Sequence, residues 1–259
     1  MKTINAIATI AYRDFTKFRR DRTRILATFI FPFLFIGILG GSLQANLSDD
    51  AGYNFLAFVF TGVVAQVMFQ STASGIISLI EDRANDFSQE LFVSPVSRYT
   101  IIFAKIIGET SVSLVQAIGI IFFALVVGVP ISISQFIAMI PAILAAAVFG
   151  GSFGVLVLAN LNSERSANQL FPFVIFPQFF LAGVFSPIKN LPPILNLLSI
   201  ISPMRYAVDL VRGLYYQGTP AYSKVVIASP IQNVSIMIIL FAVFMSVGTL
   251  LFVRNEKNR

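Results

Sequence analysis

The chain has 259 residues, 56% of them hydrophobic and only 12% charged, with 27 phenylalanines, no cysteine and no histidine. Soluble domains run at about 25% charged, so a body of this size lacks the charge to cover a water-facing surface, and the composition indicates a polytopic membrane protein. Without cysteine or histidine there is no thiol nucleophile, disulfide, imidazole base or Cys/His metal site, which removes most hydrolytic and redox chemistry.

The net charge of +6 does not point to nucleic acid, because 7 of the 18 lysines and arginines lie in the first 24 residues. Such a local basic arm suits an anionic membrane surface. Within it Ile4, Ile7, Ala8, Ala11, Phe15 and Phe18 recur at helical spacing, and Arg13, Lys17, Arg20 and Arg24 share the other face. This pattern predicts an amphipathic helix over residues 1–24 lying at the membrane interface. The plainer alternative is a solvated basic flank that only fixes topology.

A membrane crossing needs about 20 apolar residues. Six segments qualify or come close: 25–43 around Pro32, 55–80, 101–129, 134–161 with Pro141 near its start, 167–185 broken by Pro172 and Pro177, and 231–253 without a charge. The first is too long for a signal-peptide core and no convincing cleavage site follows it, so it reads as a retained span. The fold class expected is therefore all-α, a single membrane domain of six transmembrane helices.

Inside the second segment Gln66, Gln70, Ser74 and Ser78 recur every four residues. A polar stripe of this kind faces protein or a wet path rather than lipid, either as helix-to-helix glue or as a transport path. The fifth segment is rich in aromatics, including the candidate path residues Phe176, Phe179 and Phe180, and this with the few intramembrane charges leans towards an amphipathic, lipophilic cargo. Lys105 and Glu109 stand one turn apart near the start of the third segment, where they can pair and snorkel towards water, or serve in gating or proton transfer.

Two connections carry more than linkage. Residues 81–97 contain the only acid-rich cluster, Glu81, Asp82, Asp86 and Glu90, together with Arg83 and Gln89; Phe87 and Leu91 sit four apart and Pro95 closes the run. A short helix here suits docking into a groove on a soluble partner, although any loop between two spans must be polar. Residues 186–230 alternate proline-marked turns with short helical patterns, and the stretch 194–201 can dip into the bilayer only if buried against protein. Arg205, Asp209 and Arg212 fall at i, i+4 and i+7 on one face of a helix over about 204–216, as an ion-pair ladder or in a substrate role.

Thirteen lysines and arginines fall in connections on the side of the two termini, against four on the other side. Positive residues stay cytoplasmic, so both termini are expected inside and 186–230 outside.

The arm, the six spans, the stretch DRANDFSQELFVSPVSRYTIIFAK and the later FSPIKNLPPILNLLSIISPMRYAVDLVRG together resemble the permease subunit of a type-2 ATP-binding-cassette exporter, over nearly the whole chain. The resemblance implies that the arm is a connecting helix touching an ATPase, that 81–97 is the coupling helix, and that 186–230 forms re-entrant helices closing the exit, with Arg205, Asp209 and Arg212 on the gate. It also implies a second permease copy or close relative, the lipid bilayer as partner, and an inner (plasma) membrane location. Members often carry Gly-Thr ahead of the apolar part of the coupling loop, whereas Asp86-Phe87 stands here. No G-x-x-x-x-G-K-[ST] and no Gly-Lys pair occurs, so the chain has no loop to cradle phosphates; ATP and Mg would sit on a partner ATPase, with no metal or cofactor here and no catalytic role. The cargo expected is a lipophilic or amphipathic compound, a lipid or a glycan. The rival reading is a secondary transporter driven by protons through Glu109.

Overall fold

The structure, a computed structural model, describes residues 2–77, 79, 98–161 and 164–257. The expected coupling segment 81–97 and Ser78 lie outside them. All regular structure among the described residues is helical. In chain order the helices are α1 (Lys2–Arg20), α2 (Arg22–Phe33), a π-helical turn (Leu34–Gly40), α3 (Gly41–Ala51), α4 (Phe55–Ile77), α5 (Arg98–Val126), α6 (Ile133–Ala159), α7 (Glu164–Leu181), α8 (Pro193–Ile201), α9 (Pro203–Tyr215), α10 (Tyr222–Val225) and α11 (Pro230–Lys257).

Among the described residues five stretches are long and apolar enough to cross a bilayer: Ile25–Leu47, Phe55–Ile77, Tyr99–Val126, Ile133–Val157 and Tyr222–Leu251. The first is longer than the expected 25–43, because the helix continues through the π-helical turn that follows Pro32. A proline withholds one N–H from the helical ladder, and a widened turn is one way a helix absorbs the disturbance. The fifth expected span is α7, whose 18 residues open with polar ERSANQ and end in a turn at Gly183. At 1.5 Å per residue it reaches only about 27 Å, the marginal length for roughly 30 Å of hydrocarbon. Helices α8 and α9 meet at 86°, a bend that makes the pair either one broken span or a re-entrant loop.

The centre of the bundle is α4, which is buried along nearly its whole length. It packs most closely on α6, and the reason is local: a Cβ on Gly150 would lie 2.1 Å from the Phe69 carbonyl oxygen, and one on Gly154 2.6 Å from that of Ala73. Small residues four apart let the two backbones touch, the usual device where lipid supplies no hydrophobic drive between helices. Around this contact Phe69, Phe149, Phe153 and Phe244 interlock, with centroid separations of 5.4–5.8 Å. Exposed Ile231, Ile238, Ile239 and Leu250 give α11 an apolar outer face towards lipid.

One expectation is corrected. The stretch 194–201 is not buried against protein: in α8 only Ser199 is buried, and Ile194, Leu197 and Ile201 are exposed. A helix satisfies its own backbone groups, so apolar side chains may face lipid without protein cover. The arm adds a contact that the amphipathic pattern did not announce: α1 packs along α5, burying Ile10 and Phe18.

Candidate functional site

Three arrangements stand along α4. Near its middle is a cavity of about 250 Å³ between four helices. Helix α4 contributes Gln66, Val67, Gln70, Ser71 and Ser74; α2 contributes Ala27, Thr28, Phe31 and Pro32; α5 adds Gln116 and α7 adds Phe179. None of these residues is charged. The period of four turns the polar residues of α4 to one side, where Gln66 donates a hydrogen bond from Nε2 to Oε1 of Gln70, and the Ser74 hydroxyl donates to the Ser71 carbonyl at 3.0 Å. Gln66 and Gln116 are 1% and 2% exposed, and the Oε1 atom of each has no hydrogen-bond partner.

The sequence brought Gln66, Gln70, Ser74 and Phe179 to this place but missed Thr28 and Gln116. Gln116 had a signal: an amide seven residues beyond Glu109 puts both on one face of α5. Phe176 and Phe180 do not line the cavity. They are 58% and 55% exposed on the outer face of α7, while Phe179 is 4% exposed and packs against Phe31, with centroids 5.7 Å apart.

At the end of α4 nearest α1 is an ion cluster. Lys105 Nζ lies 3.2 Å from Glu109 Oε1 and 3.0 Å from Asp14 Oδ2, and all three side chains are at most 3% exposed. Arg13 reaches the other oxygen of Asp14 at 3.1 Å. Gly108 allows the approach: a Cβ there would meet the Ala11 Cα at 3.0 Å and Asp14 Oδ2 at 3.1 Å. Gly75 does the same on α4, where a Cβ would fall 2.1 Å from Glu109 Cδ. The cluster thus joins α1, α5 and α4. Asp14 was absent from the expected pair, yet its position three residues after Ala11 and four before Phe18 puts it on the apolar stripe. Of the basic face, Lys17 and Arg20 are exposed, Arg13 turns to Asp14, and nothing is described of the Arg24 side chain. The 28 residues of Tyr99–Val126 extend about 42 Å, some 12 Å more than the hydrocarbon, so the first turns of α5 can lie at the interface.

At the opposite end the expected face of Arg205, Asp209 and Arg212 does not form a ladder. Arg205 donates to the Ser199 hydroxyl at 2.9 Å, bracing the α8–α9 corner. Asp209 accepts 2.8 Å bonds from the backbone N–H groups of Ile227 and Ala228 and from Asn233 Nδ2, tying the approach to α11 onto α9. Arg212 is buried, donates to the carbonyls of Gly183 at 2.9 Å and Phe58 at 3.3 Å, and stacks 3.7 Å over the Phe58 ring. Each side chain found a nearer partner off its own helix. Tyr53, in the turn before α4, has its hydroxyl pKa raised by burial, with the Arg212 charge acting the other way.

A multi-span helical body with a cavity of uncharged residues between its helices has a form that suits a membrane transport protein. Comparison with known families makes it specific: the model of the ABC-2 type transporter family matches residues 5–216, and the chain belongs to that family. It is similar to a putative transport permease, ycf38, of Cyanophora paradoxa, at 22% identity over 98% of this chain and 90% of the relative. It is also similar to the inner membrane transport permease YadH of Escherichia coli K12, at 24% identity over 68% and 69%. The ABC transporter G family member 20 of Dictyostelium discoideum is 26% identical over 79% of this chain and 27% of that longer protein.

Proposed function

We propose that this chain is the permease subunit of an ATP-driven exporter that moves an amphipathic or lipophilic compound, lipid or glycan out of the cytoplasm. A separate ABC ATPase supplies the energy, with ATP and Mg bound there, and two permeases act together in the plasma (inner) membrane with both termini cytoplasmic. The observation that carries the reading is the cavity lined by uncharged residues of α2, α4, α5 and α7 in a chain with no phosphate-cradling loop. In this arrangement the cargo path runs past Gln66, Gln70 and Ser74, and the exposed Phe176 and Phe180 of α7 face the second permease.

Coupling is assigned to residues 81–97. Phe87 and Leu91 supply an apolar anchor, and Glu81, Asp82, Asp86 and Glu90 steer association and fix register. The mechanism is conformational: nucleotide-driven closure of the ATPase pushes this loop and tilts the bundle. At the far end α8 and α9 act as the outer gate, held by Arg212 and Asp209. A proton-driven mechanism has less support, because Glu109 is held at 3.2 Å from Lys105.

The test is Phe87→Ala with Leu91→Ala in the reconstituted complex. Transport and cargo-stimulated ATP hydrolysis should fall together while insertion stays normal. Parental ATPase binding and transport in both variants would remove the coupling role and the main support for the exporter reading.

A further inference from the structure

The elbow between α1 and α2 gathers three arginines at the edge of the first span. Arg19 and Arg20 close α1, Arg22 opens α2, and all three side chains are exposed. Among the described residues no ion pair involves any of them. Nor does the end of α1 need them as caps, because the Lys17 and Phe18 carbonyls both accept from the Asp21 N–H, at 3.1 and 3.2 Å. The span that follows begins at Ile25, so the arginines stand three to six residues before it, about 5–9 Å at a helical rise. Each polar head-group layer of a bilayer is about 5–8 Å deep, so this is the depth of the lipid phosphates. Ile10 and Phe18 of the apolar stripe are buried where α1 packs along α5, and what the elbow turns outward is charge. Asp21 is the one acid among the three arginines, and the net charge of the elbow is positive.

We propose that this elbow is a binding site for anionic phospholipid head groups, whose phosphates are held by Arg19, Arg20 and Arg22. A guanidinium presents a planar fork of donors that matches a phosphate. A zwitterionic head brings its own cation beside the phosphate and gains little from a positive elbow, whereas near an anionic surface each basic residue is worth about five-fold in affinity. The membrane is the source because the arginines stand at the level where lipid phosphates already are. The proposal requires only that the chain crosses a bilayer, whatever drives transport and whichever way it runs.

Because the chain has no cysteine, Thr23→Cys gives a single exposed site beside Arg22 for a fluorophore. The labelled full chain is placed in phosphatidylcholine nanodiscs, and its quenching is compared for equal mole fractions of phosphatidylglycerol and phosphatidylcholine spin-labelled close to the head group. Phosphatidylglycerol should associate at least about five-fold more strongly. The preference should vanish in Arg19→Gln/Arg20→Gln/Arg22→Gln, and it should vanish in about 1 M salt, where the screening length is about 3 Å. The matching triple lysine variant keeps the charge and should keep the preference, which separates charge from a disturbed elbow.

Equal quenching by the two lipids, or loss of the preference in the lysine variant, overturns the proposal. Loss of the preference on adding inorganic phosphate at unchanged ionic strength assigns the arginines to a free anion and refutes the lipid site. So does the absence of a lipid preference combined with failure of the glutamine variant to recruit an ATPase, which would give the elbow to that partner. The lipid measurements use neither ATPase nor nucleotide, so their failure leaves the coupling test at Phe87 and Leu91 standing, and failure of that test leaves the lipid site intact.

Discussion

Lys105→Met should be the most damaging single charge substitution in the chain, because it leaves two carboxylates facing one another in a buried site. At 3.0 and 3.2 Å, and at an effective dielectric constant of about 20, the attractions of Lys105 to Asp14 and to Glu109 are each about 5 kcal/mol before desolvation. Desolvation offsets much of this, and breaking a buried pair by removing one partner typically costs about 3–5 kcal/mol. For a protein of this size each kcal/mol moves the melting midpoint by about 2–4 °C, so a drop of roughly 6–20 °C is expected in detergent. Lys105→Met/Glu109→Gln should recover part of it, because Asp14 keeps Arg13 at 3.1 Å. The second readout is local: an undocked α1 should be cut by trypsin at Arg19 and Arg20 well before the rest of the chain. If Lys105→Met melted within 2 °C of the parent (a margin of about 1 kcal/mol on the same scale), or if the double variant were no better than the single one, the cluster would not be the clamp described.

Gly150→Ala puts a methyl where the Phe69 carbonyl oxygen is 2.1 Å away, and overpacking of this kind costs about 1–3 kcal/mol or more; a lowered melting midpoint and poor yield from the membrane should follow, while Gly41→Ala, with nothing within 4 Å, should be silent. Arg212→Lys keeps a charge but cannot reach both the Gly183 and Phe58 carbonyls, so about 2–3 kcal/mol of stability should be lost and the loop 182–185 should become protease-sensitive; parental protection would deny Arg212 its bracing role. Single cysteines at Ser48, Asn190 and Asn258 test orientation, the first two reacting with an impermeant reagent in intact cells; reaction of Asn258→Cys from outside would invert the topology.

The spans were legible because hydropathy over about 20 residues is a property of the local sequence alone. So was the period-four stripe of α4, which lines the cavity. The partners of buried charges were not. Asp14 lies 91 residues before Lys105, and no periodicity within either helix reports that Gly108 leaves room for them to meet. The same holds for Arg212, whose acceptors are backbone carbonyls on two other elements. A backbone acceptor has no residue type, so composition cannot announce it. The i, i+4, i+7 spacing of Arg205, Asp209 and Arg212 placed them on one face but could not say that longer-range partners would outcompete the ladder, which is weak even where it forms.

What joins these separate findings is that α4 touches every one of them. Its first turns give the Phe58 carbonyl and ring to Arg212, its middle carries Gln66, Gln70 and Ser74, and its last turns hold Gly75 against Glu109. The chain passes from α4 directly towards 81–97, the segment assigned to the ATPase. With Gly150 and Gly154 seating it on α6 backbone to backbone, α4 has little room to bend or slide by itself. A push delivered at its end must therefore carry α6 along, or rotate the pair against α2, α5 and α7, which form the other walls of the cavity. On the proposed coupling, either motion would change the width of that cavity and strain the Arg212 anchorage at the far end, so the proposed gate, the cavity and the clamp would respond to one displacement.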